Sequence, residues 1–358
     1  MRLLLSAMTA LAIAACAEEG ARAVRVAATV ETEPAPSTED AADDPAIWVR
    51  AGDPARSLVL GTDKQTGLYV YDLLGNLVQS LPVGPLNNVD IRRNIAGAPF
   101  DVAAASNDGR NVVSLFSIDR RSGAVAPLAD FPTGKDEPYG LCLASMGGAL
   151  SIIVTYKDGA VQFFSVQPGD LQSGVAGAVP ARLERTLAFS SQLEGCVADE
   201  ENARFFVGEE QKGVWAIDLD DPDAAPQLLD AVGGVSGLAA DVEGVTIWRG
   251  ADGAGFLVVS AQGADRFIVY DRQPPFAVRG AFSIASHLSG GELIDGVTGT
   301  DGIDAAAASL GDGFPRGLLA VQDDVNSDPA ANQNFKYVDW RKIEKALDLP
   351  IVPFEQAD

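Results

Sequence analysis

Histidine and basic side chains are scarce in this sequence. Its 358 residues include one histidine and 26 Lys or Arg against 50 Asp or Glu, which gives a formal net charge of −24. Such an acid excess argues against binding to a phosphate backbone, so no nucleic-acid partner is expected. The charge suits either a protein that collects divalent cations through oxygen ligands or a simply solvated acidic surface.

Several catalytic arrangements are excluded by what is missing. His287 is the only histidine, so a Ser-His-Asp arrangement lacks a partner for it and zinc is disfavoured as the intended metal. We predict that His287 is a surface or loop residue. The chain also has no Gly-rich phosphate loop and no Gly-x-Ser-x-Gly elbow.

Long amphipathic helices are absent from the pattern as well. Most apolar runs span five to eight residues, and the 37 glycines suit tight turns between many short strands. No region alternates strands with long helices, which disfavours an α/β fold. A hydrophobic content of 47% is sufficient for a large core.

The first residues, MRLLLSAMTALAIAAC, are typical of a targeting segment rather than of the folded domain. Residues 13–16 resemble a bacterial lipobox, so residues 1–16 are predicted to be a lipoprotein-type signal peptide that ends at Cys16. A plain secretory signal cleaved nearby is the alternative. Both readings predict an exported protein. It would be periplasmic or anchored to the outer membrane through a lipid on Cys16, and otherwise secreted.

The remaining two cysteines, Cys142 and Cys196, both lie in apolar strand-like runs. From that setting we predict buried free thiols rather than a disulfide.

An apolar segment recurs six times along the chain. Its copies are SLVLGTD, FDVAAASN, LSIIVTYK, ARFFVGEE, GFLVVSAQ and RGLLAVQD, and each is followed by a second strand-like segment and preceded by a shorter one that opens on polar residues. Six copies of about 50 residues predict an all-β fold, a six-bladed β-propeller. The propeller is expected over residues 41–345. It would be preceded by a tether with an N-terminal strand over residues 17–40 and followed by a tail over residues 346–358. Within the tether, residues 24–30 are available to close the last blade.

The topology of a propeller predicts that the polar residues at the starts of the first strands, here called the openings, lie close together. The first strand of a propeller blade lines the central channel and the second runs antiparallel to it, so the start of one and the end of the other share a face. A ring of carboxylates, amides and two lysines is therefore expected at one mouth of the channel. Its predicted members include Asp43, Asp44, Asp90, Glu194, Asp241, Glu243, Asp301 and Asp304 from the openings, and Lys64, Lys157, Glu209, Glu210, Gln262 and Asp323 from the second-strand ends.

So many acids around one opening cannot all remain ionised without counter-charge. Ca²⁺ suits a flexible ring of carboxylate, amide and carbonyl oxygens, so several calcium ions are predicted.

The residues themselves resemble the β-propeller phytases, a family of calcium-dependent alkaline phytases. The resemblance rests on DDPAIWV, GTDKQTGLYVYD, LNNVDIR, SQLEG, GEE, DVEGVTIW, SAQG, YDRQ, TDGID and ANQNFKYVDW, in collinear order over residues 33–340. It implies a calcium-dependent phosphomonoesterase that hydrolyses myo-inositol hexakisphosphate (phytate), bound as a calcium complex, through attack of a metal-activated water. We expect a monomer that meets a membrane only through Cys16.

The resemblance also implies roles for individual residues. The predicted catalytic residues are Lys64, Tyr139, Lys157, Glu194, Asp241 and Glu243. The predicted substrate-binding residues are Lys64, Arg92, Arg110, Tyr139 and Lys157. The predicted metal ligands are Asp43, Asp44, Asp90, Glu194, Glu209, Glu210, Asp241, Glu243, Gln262, Asp301, Asp304 and Asp323.

Two positions depart from the family pattern, and other readings stay open. The chain has Gln65 where the family usually has a second lysine, and Asp108 where it usually has an arginine, which puts phytate selectivity in doubt. Tyr139 can equally cap the core. The alternative functions are a calcium-dependent propeller hydrolase of another ester, such as a lactonase, and a non-catalytic surface propeller lipoprotein.

Overall fold

The computed structural model describes residues 23–172, 177–221, 223–327 and 329–354. The predicted signal peptide and Cys16 lie outside these residues. The described chain begins with two short strands, β1 (Val24–Val26) and β2 (Val30–Glu31).

The predicted six-bladed β-propeller is confirmed, and its blades follow one another along the chain. Blade 1 contains β3 (Ala42–Trp48), β4 (Leu58–Asp63), β5 (Gly67–Asp72) and β6 (Leu77–Leu81). Blade 2 contains β7 (Val89–Arg92), β8 (Asp101–Asn107), β9 (Val112–Ile118) and β10 (Val125–Pro132). Blade 3 begins with β11 (Pro138–Met146), β12 (Ala149–Tyr156) and β13 (Ala160–Val166).

A short excursion follows, with helix α1 (Pro168–Gln172) and β14 (Gly177–Ala178), before β15 (Arg182–Ala188) completes blade 3. Strand β14 pairs in parallel with β10 at the edge of blade 2. Blade 4 contains β16 (Leu193–Asp199), β17 (Arg204–Glu209), β18 (Gly213–Asp218) and β19 (Gln227–Ala231).

Blade 5 contains β20 (Val242–Arg249), β21 (Gly255–Ala261), β22 (Arg266–Asp271) and β23 (Val278–Ile284). A separate hairpin of β24 (His287–Ser289) and β25 (Glu292–Ile294) follows and carries the one histidine. Blade 6 contains β26 (Ile303–Ala306), β27 (Leu318–Asp323) and β28 (Asn334–Asp339), after which comes helix α2 (Trp340–Leu347). Among the described helices, none is long and apolar enough to cross a membrane.

The N-terminal strands close the ring, and they do so on two blades. Strand β2 pairs antiparallel with β28 and supplies the fourth strand of blade 6. The prediction placed residues 24–30 in this position, but the strand is Val30–Glu31, so only Val30 of the predicted range takes part. Strand β1 instead pairs in parallel with β23 and adds a fifth strand to blade 5. The start of the described chain therefore joins the last two blades through backbone hydrogen bonds, which close the ring of the propeller without a covalent link.

The hydrophobic core fills the spaces between neighbouring blades. Trp48, Trp248 and Trp340 are fully buried there, and Trp248 stacks on Trp340 with ring centroids 5.2 Å apart. Stacked aromatic pairs contribute about 0.5–1.5 kcal/mol beyond their burial. Phe354 meets the edge of Trp248, so the end of the described chain covers blade 5.

The prediction of two free thiols is wrong, because Cys142 and Cys196 form a disulfide with a Cα–Cα distance of 5.8 Å. Cys142 lies on β11 and Cys196 on β16, the innermost strands of adjacent blades. Their sequence separation of 54 is close to one repeat, so they occupy similar places in successive blades. Strand-like surroundings gave no hint of this pairing, since it depends on how two blades face each other.

Candidate functional site

The innermost strands of four blades are irregular where they begin. Two residues of the inner strand face one residue of its neighbour at Asp43–Asp44, Tyr139–Gly140, Glu194–Gly195 and Glu243–Gly244. A β-bulge of this kind bends the strand and re-aims its side chains. The pairs Asn87–Asn88 and Asp301–Gly302 precede the inner strands of the other two blades. Each blade therefore offers at least one polar side chain at its opening, and blades 1 and 2 offer two.

The second residue of these pairs packs directly on the next blade, which explains why it is often glycine. A Cβ added at Gly140 would lie 2.0 Å from the carbonyl oxygen of Glu194, and one at Gly195 would lie 2.3 Å from that of Glu243. A Cβ added at Gly244 would lie 2.7 Å from the carbonyl oxygen of Asp301. Three acidic openings are thus locked to one another through their backbones.

A hydroxyl from the neighbouring blade fixes some of these openings in addition. Thr155 donates to the carbonyl of Glu194 at 2.9 Å, Ser260 donates to that of Thr300 at 2.9 Å, and Ser106 donates to that of Tyr139. Each of these three hydroxyl residues is the next-to-last residue of the second strand of its blade. At the equivalent place in blade 4 the residue is Gly208, so the seam between blades 4 and 5 has no such hydroxyl.

Three glutamates form the centre of the mouth. Glu194, Glu210 and Glu243 are buried, and one oxygen of each lies within 4.8 Å of the others. Burial raises the pKa of Glu210 to about 7, with repulsion from Glu194 adding to it. Burial and the neighbouring glutamates raise the pKa of Glu243 well above its ordinary value, and burial raises that of Glu194. Tyr139 lies beside Glu194 and opposes this rise in the pKa of Glu194.

A second group surrounds Lys64. Its ammonium lies 3.0 Å from a carboxylate oxygen of Asp43, 2.9 Å from one of Asp301 and 3.0 Å from one of Asp40. Burial opposes the charged ammonium, but these three carboxylates outweigh it and raise the pKa of Lys64. Burial in turn raises the pKa of Asp43 to about 6 and that of Asp301 to about 7. Gln262 donates to Asp301 as well.

Lys157 and Tyr139 are adjacent at the same mouth. The Lys157 ammonium lies 4.3 Å from the centre of the Tyr139 ring, a distance suited to a cation–π contact. Lys157 is exposed, so it can turn toward a ligand from this position. Burial, followed by the charges of Glu194 and Asp43, raises the pKa of Tyr139 and keeps its hydroxyl protonated.

The donor set fits hard divalent cations. One carboxylate oxygen of Asp43 is paired only with Lys64, and its other oxygen, one of Glu210 and one of Glu243 are buried and accept no hydrogen bond. Buried carboxylates without donors are costly unless a cation compensates them. All side chains that converge here offer oxygen, apart from the two lysines, and oxygen ligands are those that Ca²⁺ prefers.

Other predicted ligands lie deeper in the channel. One carboxylate oxygen of Asp44 accepts from the backbone of Val89 at 2.9 Å, which ties blade 1 to blade 2. Asp90 accepts from the backbone of Leu143 at 2.7 Å, and Asp304 accepts from that of Ile47 at 2.8 Å. These three side chains line a central cavity of about 660 Å³.

Arg92 lies at the last residue of β7, toward the opposite end of the channel. It pairs with Val102 near the start of β8, and its guanidinium donates to Glu200 at 3.0 Å. The structure therefore does not bring Arg92 together with Lys64 and Lys157. Its predicted contact with substrate stays a prediction without geometric support.

Four more predicted residues have local partners. Glu209 accepts from Ser190, Ser191 and Trp215, and these bonds outweigh burial and lower its pKa. Asp323 pairs at 2.6 Å with Lys336, which is fully buried. Arg110 pairs with Asp130 on blade 2, and Asp241 accepts from Gln211 beside the glutamate centre.

Sequence reasoning missed two features of this site. Asp40 contacts Lys64 from the segment before blade 1, and nothing in its local sequence sets it apart. The bulge glycines did leave a signal, because Tyr-Gly, Glu-Gly, Glu-Gly and Asp-Gly recur at the openings of blades 3 to 6. A polar residue followed by glycine at each inner strand would have indicated tight contacts between blades.

The fold and the mouth together define a class, six-bladed β-propellers with an oxygen-rich cluster of side chains at one end of the channel. Comparison with known proteins narrows this class. The model of the Phytase family matches residues 1–352. A curated protein named 3-phytase, from Bacillus subtilis (strain 168), is 36% identical to this chain over 357 residues. The alignment covers 96% of this chain and 91% of that protein. The chain therefore belongs to the Phytase family, and it is a phytase enzyme.

Solved structures give weaker similarities. A functionally unknown protein from Desulfotomaculum acetoxidans DSM 771 superposes with a TM-score of 0.46 at 14% identity, over 66% of this chain and 70% of that one. BBS1N, solved in complex with ARL6DN, gives a TM-score of 0.47 at 10% identity, over 82% of this chain and 78% of that one. Neither similarity bears on function.

Proposed function

We propose that this phytase hydrolyses phytate to lower inositol phosphates and inorganic phosphate, and that the reaction depends on several bound calcium ions. The observation that carries the proposal is the meeting of the Glu194, Glu210 and Glu243 carboxylates with Lys64 and Lys157 at one mouth. The similarity to a protein named 3-phytase supports the choice of substrate.

The residues that would hold calcium are the oxygen donors of this mouth. Glu194, Glu210 and Glu243 form the central set, and the outer set consists of Asp43, Asp241, Gln262 and Asp301. Bound calcium would neutralise phosphate charge and make water a stronger nucleophile. Asp43 and Asp301, which pair with Lys64 in this structure, would then hold the cation, and the Lys64 ammonium would be available for substrate.

Electrostatics makes cations necessary for this substrate. Phytate carries many negative charges, and a protein with a net charge of −24 repels it unless cations intervene. Lys64 and Lys157 would then stabilise charge on the phosphate oxygens during attack. The protonated hydroxyl of Tyr139 would donate to another oxygen.

No histidine takes part in this mechanism. His287 lies in the β24–β25 hairpin and not with any of the residues described at the mouth. A covalent phosphohistidine therefore has no candidate, and direct attack by water is the route that these residues support.

The test is phosphate release from phytate, first with calcium and then with excess chelator. We expect turnover with calcium, loss of turnover with chelator and recovery when calcium is restored. Glu194→Gln should lower kcat/KM by about 100-fold or more, a loss typical of removing one preorganised group from a charged site. Glu184→Gln, on the outer strand β15, is the matched control and should keep wild-type activity.

Other outcomes would overturn the proposal. Wild-type turnover in Glu194→Gln would refute the site. Hydrolysis of lactones without release of phosphate would indicate a different ester hydrolase. Calcium binding without turnover of any phosphomonoester would indicate a binding platform.

We further propose that the protein is exported and monomeric. The Cys142–Cys196 disulfide supports export, since such bonds persist mainly in oxidising compartments. Mass spectrometry of the mature N-terminus would test the anchor, because a lipidated Cys16 and an unmodified secreted terminus differ by the mass of the acyl groups.

A further inference from the structure

The Cys142–Cys196 disulfide lies directly behind the glutamate centre. On β16, Glu194 comes two residues before Cys196, with only Gly195 between them. On β11, Tyr139 comes three residues before Cys142. Both sulfur atoms belong to buried side chains, 1% and 8% exposed. The covalent bond thus joins the two inner strands that carry Tyr139 and Glu194 at the mouth, each as the second residue of its strand.

Three contacts fix the backbone of Glu194 against blade 3. Thr155 donates to its carbonyl at 2.9 Å, and the space beside that carbonyl is so narrow that a Cβ on Gly140 would come within 2.0 Å. The disulfide closes the same seam two residues further along. The next seam, between blades 4 and 5, has Gly208 and Val245 at the corresponding places and no covalent bond among the described residues.

Glu194 needs such support because it stands among like charges. It shares contacts with Glu243 and Tyr139, and Glu210 is within reach of one common cation. Without a cation the carboxylates repel one another, so a fixed backbone helps to keep their oxygens together. Displacements of about 1 Å in a supporting structure are enough to impair a binding site.

We propose that the Cys142–Cys196 disulfide is a positioning element of the cation site, which holds Glu194 where it can share a cation with Glu210 and Glu243. Full cation affinity then requires the oxidised cysteine pair. This inference rests on the proposed function insofar as it assumes that the mouth binds calcium.

The experiment measures calcium binding, not hydrolysis. Chelator-treated wild type, the double variant Cys142→Ala/Cys196→Ala and the control Val245→Ala are titrated with Ca²⁺ in a calorimeter. Val245 is buried two residues after Glu243, as Cys196 is after Glu194, so its truncation disturbs a similar site without removing a covalent link. We expect the dissociation constant of the double variant to rise about tenfold or more, as when supporting residues of metal ligands are removed. The control should stay within about twofold of wild type.

A reduced wild-type protein provides a second route if the double variant does not fold. Dithiothreitol gives two electrons and two protons to the disulfide, which yields two thiols and the cyclic disulfide of the reagent. Calcium affinity should fall on reduction and return after reoxidation.

The outcomes separate the two proposals. Unchanged calcium affinity in the double variant, together with a lower melting temperature, would show that the disulfide only stabilises the fold. Absence of calcium binding in the wild type would refute the cation site of the proposed function, and the positioning role with it.

Discussion

Two adjacent glutamates at the mouth should respond in opposite ways to replacement by glutamine. Glu210 is buried and faces Glu194 and Asp241, and burial followed by this repulsion raises its pKa from 4.5 to about 7. Glu209 accepts hydrogen bonds from Ser190, Ser191 and Trp215, which outweigh its burial and lower its pKa. The fold therefore favours the neutral carboxyl at Glu210 and the ionised carboxylate at Glu209.

The pKa values set the size and the sign of the effect. Each tenfold change in a protonation equilibrium corresponds to about 1.4 kcal/mol, so ionised Glu210 destabilises the metal-free fold by about 3 kcal/mol. Because its folded pKa is raised, the stability that Glu210 contributes is complete below pH 4.5 and is lost as the pH rises through about 7. The stability that Glu209 contributes is present above pH 4.5, and it is lost as the pH falls through the lowered pKa of Glu209 in the folded state.

Urea unfolding of chelator-treated protein at pH 5 and pH 8 measures both effects. At pH 8, Glu210→Gln should raise the free energy of unfolding by about 2–3 kcal/mol, whereas Glu209→Gln should lower it by about 1–3 kcal/mol through loss of hydrogen bonds to a charged group. At pH 5 the gain from Glu210→Gln should be small. In excess calcium the Glu210→Gln variant should be less stable than the wild type, because the wild type then binds a cation that the variant holds less tightly.

One result would refute this reasoning. If Glu210→Gln proves less stable than the wild type at pH 8 without metal, the carboxylates of the mouth do not repel one another as their burial implies.

Two further predictions concern the bulges and the exposed lysine. Gly195→Ala would place a Cβ 2.3 Å from a backbone carbonyl of blade 5, so the melting temperature should fall by several degrees, in line with the 1–3 kcal/mol that overpacking costs. Gly313→Ala has open space around its Cβ and should melt like the wild type in the same calorimetric scan. Lys157→Gln should raise KM for phytate and weaken the dependence of kcat/KM on ionic strength, while calcium affinity stays near that of the wild type. An unchanged salt dependence would place Lys157 outside the substrate site.

The repeat of the chain was sufficient to predict the six blades, because a strand with alternating side chains and a polar opening recurs at each step of about 50 residues. It also predicted that the openings meet, since antiparallel strands place the start of one beside the end of the next. The carboxylates of Glu194, Glu210 and Glu243 could be assigned to one mouth on that ground alone.

Tertiary structure decided what each side chain does at its place. Glu209 and Glu210 are neighbours in sequence, yet only the packing of blade 4 shows that the first accepts hydrogen bonds from serine and tryptophan side chains and the second joins the glutamate centre. The same holds for Arg92, which pairs with Glu200, and for Asp323, which pairs with the buried Lys336.

The disulfide makes the physical reason clear. Local pattern specifies which strands form, because it reflects hydrogen bonding and burial within one blade. Contacts such as Cys142 with Cys196, or Gly195 with the carbonyl of Glu243, depend on the angle and distance between two blades. Those quantities arise only when the β2 strand closes the ring and all six blades are packed against one another.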